Sequence, residues 1–170
     1  MKIRVGILLV IGFVLCGCSD TEIYSRDNLL ENGYTQFCGE YGVTYHTKES
    51  GYNIVYRSVG NNEFQKYFET ETSSSLYSLD IYDGYLYFIN KYDTSHLIYA
   101  YELDDEHDSI KWVPDRYIDS IREYFGKDKE YLYFSYYDKD KNLVYAKLSL
   151  DLQDFVDIEK EDIPKNLTSC

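Results

Sequence analysis

Metal binding or catalysis in this chain would have to use its three histidines and thirty acidic side chains. His46, His96 and His107 stand far apart, and none has the spacing of a zinc-binding motif. The residues from Asp138 to Asn142 open like a calcium-binding loop, D-x-D-x-N, but the sixth and twelfth places lack the required glycine and glutamate. We therefore predict a polar hairpin turn there, and no metal or other cofactor.

Catalytic motifs are equally scarce in the sequence. It has no glycine-rich phosphate loop, no G-x-S-x-G elbow and no Cys–His signature. Glycoside hydrolysis needs only two carboxyl groups about 5–9.5 Å apart, which thirty acids can supply by chance. The acidic stretch from Asp104 to Asp108 is more simply a solvated loop. We predict that the protein is not an enzyme; the alternative is a carbohydrate-active enzyme with a tyrosine-lined acidic groove.

The first residues have the pattern of an export signal. Two basic residues, Lys2 and Arg4, precede an unbroken apolar run from Val5 to Leu15. A charged start followed by about 7–15 apolar residues is typical of a secretory signal peptide, whereas a membrane-spanning helix needs roughly 20 apolar residues. We therefore predict that residues 1–17 are a signal peptide.

The residues that close this run, Leu15-Cys16-Gly17-Cys18, resemble the lipobox of bacterial lipoproteins. That pattern is an aliphatic residue, a small residue, glycine or alanine, and an invariant cysteine. The resemblance implies that the Cys18 thiol receives a diacylglycerol and that the chain is cut before Cys18. Two acyl chains anchor a protein stably where one binds only marginally. The expected location is the extracytoplasmic face of the cell membrane; an ordinary signal peptide is the alternative.

The two remaining cysteines, Cys38 and Cys170, lie at opposite ends of the rest of the chain. Export makes a disulfide permissible, and only one pairing is available if Cys16 leaves and Cys18 is lipidated. A bridge would require the two ends to meet. Otherwise Cys38 is a small buried residue and Cys170 lies in a frayed terminus.

The predicted mature chain is strongly acidic. Loss of residues 1–17 leaves 153 residues with 15 basic and 30 acidic side chains, a net charge of −15, since Lys2 and Arg4 are the only charges removed. This length suits one domain. Such a surface repels nucleic acid and anionic lipid headgroups. Membrane attachment must then come from the lipid, and cationic partners are weakly favoured.

Twenty-one tyrosines are the unusual feature of the composition. Tyrosine has high strand propensity and an amphipathic ring, and disordered chains are poor in aromatic residues. We therefore predict an all-β domain over residues 34–170. Residues 18–33, which hold the lipidated cysteine and then mostly polar side chains ending in a turn signal, are predicted to be a tether.

Short segments of this domain recur at a fixed interval. Tyr85-Leu86-Tyr87-Phe88 returns as Tyr131-Leu132-Tyr133-Phe134, and Leu97–Ala100 returns as Leu143–Ala146, both 46 residues later. A weaker copy begins at Gly42, about 43 residues earlier. A period of about 40–45 residues is that of four-stranded propeller blades. In the middle unit we predict strands at 75–82, 84–90, 97–103 and 109–113, with Asp83-Gly84 as a hairpin turn.

The middle and last units resemble the YWTD-type propeller repeat of extracellular proteins, in which an aromatic strand pair is followed by an Ile-x-Arg-x-x-Leu-Asp strand. Here Tyr87-Phe88 leads to the Ile98–Asp104 segment, and Tyr133-Phe134 leads to the Val144–Asp151 segment. The match covers roughly residues 40–158. Phe88, Ile89 and Asn90 replace the Trp, Thr and Asp of the signature, so the cross-blade contacts of that family are not implied.

The number of units restricts the architecture. Closed propellers have 4–8 blades, and this chain holds about three. We therefore expect antiparallel meanders in about three blade-like repeats, forming an incomplete propeller or open array. A small β-sandwich or barrel is the alternative. A third outcome is a partial propeller whose sheet edge is completed by a partner chain, because exposed edges favour pairing.

One stretch argues for a helix within the β domain. Tyr117, Ile118, Ile121, Tyr124 and Phe125 fall on one helical face. A proline precedes them and a glycine follows, which suits the start and the end of a helix. The pattern predicts a short helix near residues 115–125, whereas repeat alignment places a strand there.

By elimination, the sequence favours a non-catalytic binding or protein-interaction module, held at the membrane by its lipid and directed at an unknown protein or glycan ligand. Tyrosines offer large contact area at low entropic cost. The candidate binding face comprises Trp112, Tyr92 and Tyr137, with Trp112 either packed in the core or exposed as an aromatic platform. Acidic loop tips at Asp93, at Asp104 to Asp108 and at Asp138 to Asp140 would make this face negative.

Overall fold

The computed structural model describes residues 22–31, 34–45, 53–70, 76–90, 97–104 and 106–170. The predicted signal peptide and lipobox, together with His46, Tyr92, Asp93, His96 and Asp105, lie outside these ranges. In chain order the elements are β1 (Ile23–Ser25), α1 (Arg26–Glu31), β2 (Tyr34–Cys38), β3 (Tyr41–Tyr45), β4 (Asn53–Gly60), β5 (Glu63–Glu69), β6 (Leu76–Tyr82), β7 (Tyr85–Asn90), β8 (Ile98–Glu102), β9 (Ser109–Trp112), β10 (Ser120–Lys127), β11 (Tyr131–Tyr137), β12 (Leu143–Ser149), β13 (Phe155–Ile158) and the 3-10 turn η1 (Lys160–Asp162).

The strands form three antiparallel sheets, so the all-β prediction is confirmed. Sheet 1 has the order β1-β5-β4-β3-β2, sheet 2 the order β6-β7-β8-β9, and sheet 3 the order β10-β11-β12-β13. Each sheet is a four-stranded meander, to which β1 adds an edge strand in sheet 1. The four strands predicted for the middle unit agree with β6 to β9 within one or two residues. The Asp83-Gly84 turn is present, with φ of 47° and 81° at its two residues.

Sheet 2 lies between the other two sheets and packs against both. Leu86 and Phe88 point into one apolar cluster with Val43 and Val55 of sheet 1. Neighbouring residues of β7 point the other way, into a second cluster shared with sheet 3. This alternation follows from the two-residue period of a strand. Full burial of each such side chain contributes about 1.5–3 kcal/mol.

The 46-residue sequence repeat is also a repeat of side-chain direction. Leu132 and Phe134 point from β11 towards sheet 2, as Leu86 and Phe88 point from β7 towards sheet 1. All four side chains are fully buried. In the first copy, Tyr41 follows the β2–β3 turn as Tyr85 follows the β6–β7 turn. The recurring sequence therefore encodes sheets that stack in one direction.

The predicted helix near residues 115–125 is wrong: β10 occupies residues 120–127, and residues 117–119 have no regular structure. The pairing of β10 with β11 is shifted after Ile121 and again after Tyr124. Each bulge adds one residue to the strand. The first bulge lets Ile121 and Tyr124 reach the same apolar cluster, which Ile118 joins from the segment before the strand. The resulting spacing of three resembles a helical period. Tyr117, assigned to the same helical face, is 58% exposed.

Residues 23–31, assigned to the tether from the sequence, form β1 and α1 on sheet 1. Leu29 is 1% exposed and clusters with Tyr56 and Phe64 on the face of sheet 1 that points away from sheet 2. The ring of Tyr24 meets that of Tyr56 edge-on at 5.3 Å. A few apolar side chains among polar neighbours are enough to dock this segment, so the described folded part begins before Tyr34. No helix within the described ranges is long and apolar enough to cross a membrane.

After η1 the chain returns to β10 through residues 163–170, which we call the strap. Lys127 N–H donates to the Thr168 carbonyl at 2.8 Å, and Thr168 N–H donates back at 3.0 Å. Gly126 makes this approach feasible: its φ is 118°, and a Cβ atom there would lie 2.6 Å from the Thr168 carbonyl oxygen. The strap is thus hydrogen-bonded to the edge of β10 that β11 does not use.

Candidate functional site

The first strands of the three meanders meet at a buried polar joint. Asp80 of β6 is fully buried, Lys127 at the end of β10 is 8% exposed, and Cys38 at the end of β2 is 1% exposed. Cys38 is bonded to Cys170 through their sulfur atoms, with a Cα–Cα distance of 5.0 Å. The two chain ends therefore meet, as a bridge requires. The joint links all three sheets to the strap.

The carboxylate of Asp80 is the centre of this joint. Lys127 Nζ donates to its Oδ1 at 2.6 Å and the Tyr124 hydroxyl donates to its Oδ2 at 2.7 Å. The backbone N–H of Ile81 adds a third donor at 2.8 Å. Burial, together with the neighbouring Asp80 charge, raises the pKa of Tyr124 far above its usual value, so this hydroxyl stays a donor. A buried charge needs such compensation.

The chemistry of the joint is structural rather than metal-binding. The ligand atoms of Cys38, Asp80 and Cys170 lie within 4.8 Å of one another, the closeness a metal site needs. The two sulfur atoms, however, are bonded to each other, and metals bind thiolates. The Lys127 ammonium already neutralises the carboxylate. In this state the donor set does not fit a metal ion.

A second polar feature lies on the surface between sheets 1 and 2. It is a cleft, here called the acidic cleft, whose walls come from the end of β5 and from the β8–β9 connection. The described residues that line it include four carboxylates and no lysine or arginine, although one of the carboxylates, Glu69, forms an ion pair with Lys66 outside the lining. The lining consists of Phe68, Glu69, Tyr101, Glu102, Glu106, His107, Asp108, Ser109 and Ile110.

The ring of His107 fixes one wall of the acidic cleft. It stacks on Phe68 with 4.3 Å between ring centroids and meets Tyr67 edge-on at 4.6 Å. His107 has a φ of 56°, a backbone conformation that most residues avoid. Asp104 supports that turn, because its Oδ1 accepts the backbone N–H groups of Glu106 and His107 at 3.0 Å each.

The β8–β9 connection is also tied to sheet 1 by a tyrosine. The Tyr67 hydroxyl donates to the carbonyl oxygens of Leu103 and Asp104 at 3.3 and 3.4 Å. Within sheet 2, the hydroxyl of Tyr85, the cross-strand neighbour of Glu102, donates to Glu102 Oε1. That hydrogen bond raises the pKa of Tyr85 and holds the Glu102 carboxylate in place. The acidic cleft therefore has fixed walls and a negative lining, which suits a cationic ligand.

The predicted binding face of Trp112, Tyr92 and Tyr137 is not assembled as expected in the described part of the chain. Trp112 is 3% exposed and packs edge-on against Phe134 and Phe155, with 5.7 and 4.8 Å between ring centroids. The Trp112 ring therefore has almost no exposed surface on which a ligand could stack. Tyr137 is half-buried at the end of β11, one residue after Tyr136, which joins the cluster containing Trp112. Alternation places Tyr137 on the opposite face of the strand.

The loop with the calcium-like opening is a hairpin turn, as predicted. Asp138 Oδ1 accepts the backbone N–H groups of Asp140 and Asn142 at 2.8 Å each, and Oδ2 accepts the Asn142 side-chain amide at 3.0 Å. Lys141 has a φ of 65°. The Asp138 carboxylate thus accepts hydrogen bonds from the donors of its own turn.

Hydrogen bonds hold several exposed carboxylates in their charged form. The pKa values of four groups are lowered, chiefly by side-chain donors: Asp115, Asp119, Asp138 and Asp151. A general acid in glycoside hydrolysis needs the opposite shift. These four carboxylates are therefore suited to accepting hydrogen bonds in turns and to forming ion pairs.

Comparisons with models of protein families, with curated proteins and with solved structures find no match. The sequence indicated part of each feature, namely the possible bridge between Cys38 and Cys170 and the acidic stretch from Asp104 to Asp108. It did not indicate the buried ion pair of Asp80 and Lys127 or the role of Phe68 in the cleft. One available signal was Asp80, an acid at an inward position between Leu79 and Ile81. An ionised residue there must find a partner when the strand is buried.

Proposed function

We propose that this protein is a lipoprotein held at the extracytoplasmic face of the membrane through Cys18, and that its three stacked sheets form a binding module for a cationic ligand, such as a basic segment of another protein. The single observation that carries the binding role is the acidic cleft. Its carboxylates line the same cleft as the rings of Phe68 and His107, which are fixed by contacts between two sheets.

The support for the lipid anchor comes from the amino-acid sequence of the first 18 residues. The basic start, the apolar run and the Leu15-Cys16-Gly17-Cys18 pattern are those of a lipoprotein precursor. The disulfide between Cys38 and Cys170 agrees with export, because disulfides persist in oxidising compartments.

Within this proposal the sheets are arranged like the blades of a partial propeller. Two observations support that arrangement. Equivalent side chains in sheets 2 and 3 point in the same direction, and the first strand of each meander contributes to the common joint. In a propeller the first strand of each blade lines the central axis.

The first test concerns the anchor. Cells that express the wild-type chain and are fed labelled palmitate should give a labelled protein in the membrane fraction. Cys18→Ala should lose all the label and leave the membrane, because acyl transfer needs the thiol. Cys16→Ala is the matched control and should keep the label, since alanine is a small residue. Labelled Cys18→Ala, or unlabelled wild type, would contradict the anchor.

The second test concerns the acidic cleft and uses a dye-labelled hexalysine peptide as the probe. Glu106→Gln combined with Asp108→Asn should weaken binding by about 2- to 30-fold at low salt, because exposed ion pairs each contribute about 0.2–1 kcal/mol. Fluorescence anisotropy of the full chain in mild detergent measures the affinity. Addition of salt should reduce wild-type binding towards that of the variant.

A control variant with the same change in net charge separates the cleft from general attraction. Glu159 and Glu161 are exposed and lie near η1, outside the cleft. Glu159→Gln combined with Glu161→Gln should leave hexalysine binding within about twofold of wild type, since distant exposed charges are screened. Equal losses in both double variants would mean that the cleft is not the binding site.

The two alternatives have less support. A carbohydrate-active enzyme would need a carboxyl group kept protonated near a second one, and the described carboxyl groups with clear pKa shifts are shifted downward. A partial propeller completed by a partner chain would need an open end, whereas α1 and β1 already cover the outer face of sheet 1.

A further inference from the structure

The strap joins the first and third sheets without packing into either apolar core. One end is hydrogen-bonded to β10 through Thr168, and the other is bonded to Cys38 of β2 through Cys170. All eight strap residues are exposed or only partly buried: Ile163, Pro164, Lys165, Asn166, Leu167, Thr168, Ser169 and Cys170. Segments with few buried contacts open locally at low cost. The covalent bond is therefore the main attachment of the strap.

The two residues of the bridge differ in exposure. Cys38 is 1% exposed, whereas Cys170 is an exposed residue whose sulfur lies 3.9 Å from Asp80 Oδ1. Thiol–disulfide exchange requires a thiolate to reach one sulfur atom along the S–S axis, so access decides which sulfur is attacked. Local opening of the strap uncovers the Cys170 sulfur, so an external thiol attacks Cys170 and expels Cys38.

We propose that the bridge between Cys38 and Cys170 is a redox-operated clasp, which a dithiol opens to release the strap from β10 while the three sheets stay folded. One thiolate of the dithiol attacks the Cys170 sulfur, the S–S bond breaks, and Cys38 leaves as a thiolate that takes up a proton. The second thiol of the dithiol then displaces Cys170 as a thiol. The dithiol is oxidised to its own disulfide, and the protein gains two electrons and two protons.

Opening of the clasp changes the surface at β10. The Lys127 N–H and carbonyl groups lose their partners on Thr168 and become an unpaired strand edge, which another strand can pair with. Gly126 leaves space beside this edge, since a Cβ atom there would meet the strap backbone. The reduced protein thus presents a backbone surface that the oxidised protein covers with its own strap.

Hydrogen exchange measured by mass spectrometry tests the clasp. The full chain in mild detergent at 25 °C is compared before and after reduction with dithiothreitol, and alkylation confirms that Cys38 and Cys170 are free. We expect the amides of Lys127 and Thr168 to exchange about tenfold faster or more after reduction, because opening is then local. Amides in the central strands β7 and β11 should lose only the protection that the lower global stability removes, and should stay far more protected than those of Lys127 and Thr168.

Cys38→Ser is the matched control. It should show fast exchange at Lys127 and Thr168 without reductant, and dithiothreitol should cause no further change. Reoxidation of the reduced wild type should restore protection. Unchanged protection of Thr168 after reduction would overturn the proposal, because hydrogen bonds alone would then hold the strap. Exchange in β7 and β11 that becomes as fast as that of Thr168 would also overturn it, because the bridge would then hold the whole fold.

Discussion

Replacing Asp80 with asparagine should lower the free energy of unfolding by about 3–5 kcal/mol, the cost of breaking a buried ion pair by removing one partner. The Asp80 side chain is fully buried and that of Lys127 is 10% exposed, with 2.6 Å between Nζ and Oδ1. Asparagine can accept the Ile81 N–H through its oxygen and donate its amide to the Tyr124 hydroxyl, but it carries no charge. The Lys127 ammonium would then be buried without compensation, or would have to leave the joint and open it.

Urea unfolding of the full chain in mild detergent measures this loss. Trp112 is the only tryptophan and lies between sheets 2 and 3, so its fluorescence reports on their separation. Asp119→Asn is the matched control. Its ion pair with Lys141 is exposed on the lysine side, 68% against 29% for Asp119, and its loss should cost less than about 1 kcal/mol.

A double variant separates charge burial from packing. Asp80→Asn combined with Lys127→Met removes both charges and should recover at least half of the loss, because an apolar replacement of a buried pair is often neutral or better. An Asp80→Asn variant as stable as Asp119→Asn would show that the pair is not buried in solution.

Removing the disulfide is the second change with a large expected effect. Cys38 and Cys170 are separated by 132 residues. Cross-linking a loop of this length stabilises the folded state by up to about 5 kcal/mol through the entropy of the unfolded chain, with about 2–5 kcal/mol typical. Cys38→Ser should therefore lower the urea midpoint by the corresponding amount. Since small domains have about 5–15 kcal/mol of stability, the variant should remain folded at 25 °C.

Reduction provides the control for this second prediction. Dithiothreitol should lower the urea midpoint of the wild type to that of Cys38→Ser and leave the variant unchanged. Cys38→Ser and Cys170→Ser should be about equally destabilised, although only Cys38 is buried, because loop closure is lost in either case. A much larger loss in Cys38→Ser would mean that packing of the buried sulfur, rather than the cross-link, dominates.

The strands of the middle unit could be predicted from the sequence because their determinants are local. Alternating side chains and the Asp83-Gly84 turn set β6 and β7 without reference to the rest of the chain. The β10 strand could not be predicted in this way. The bulge after Ile121 brings Tyr124 to the same apolar cluster, which Ile118 reaches from the irregular segment before the strand. The resulting spacing of three resembles that of a helix.

The candidate sites depend on contacts between sheets, which no local pattern specifies. Asp80 and Lys127 are 47 residues apart in the chain yet form an ion pair. His107 belongs to an acidic loop by sequence, and only the stacking of sheets 1 and 2 places its ring on Phe68. An aromatic residue such as Trp112 has the same sequence signature in a core as on a binding face.

The short helix α1 also limits how many sheets can join this stack. A series of sheets that stack in one direction ends in a sheet with an uncovered apolar face. A second copy of the same protein could continue the series there. Such head-to-tail contacts do not close and lead to fibres. Because Leu29 and Tyr24 cover the outer face of sheet 1, neighbouring copies at high concentration can remain separate molecules instead of growing into filaments.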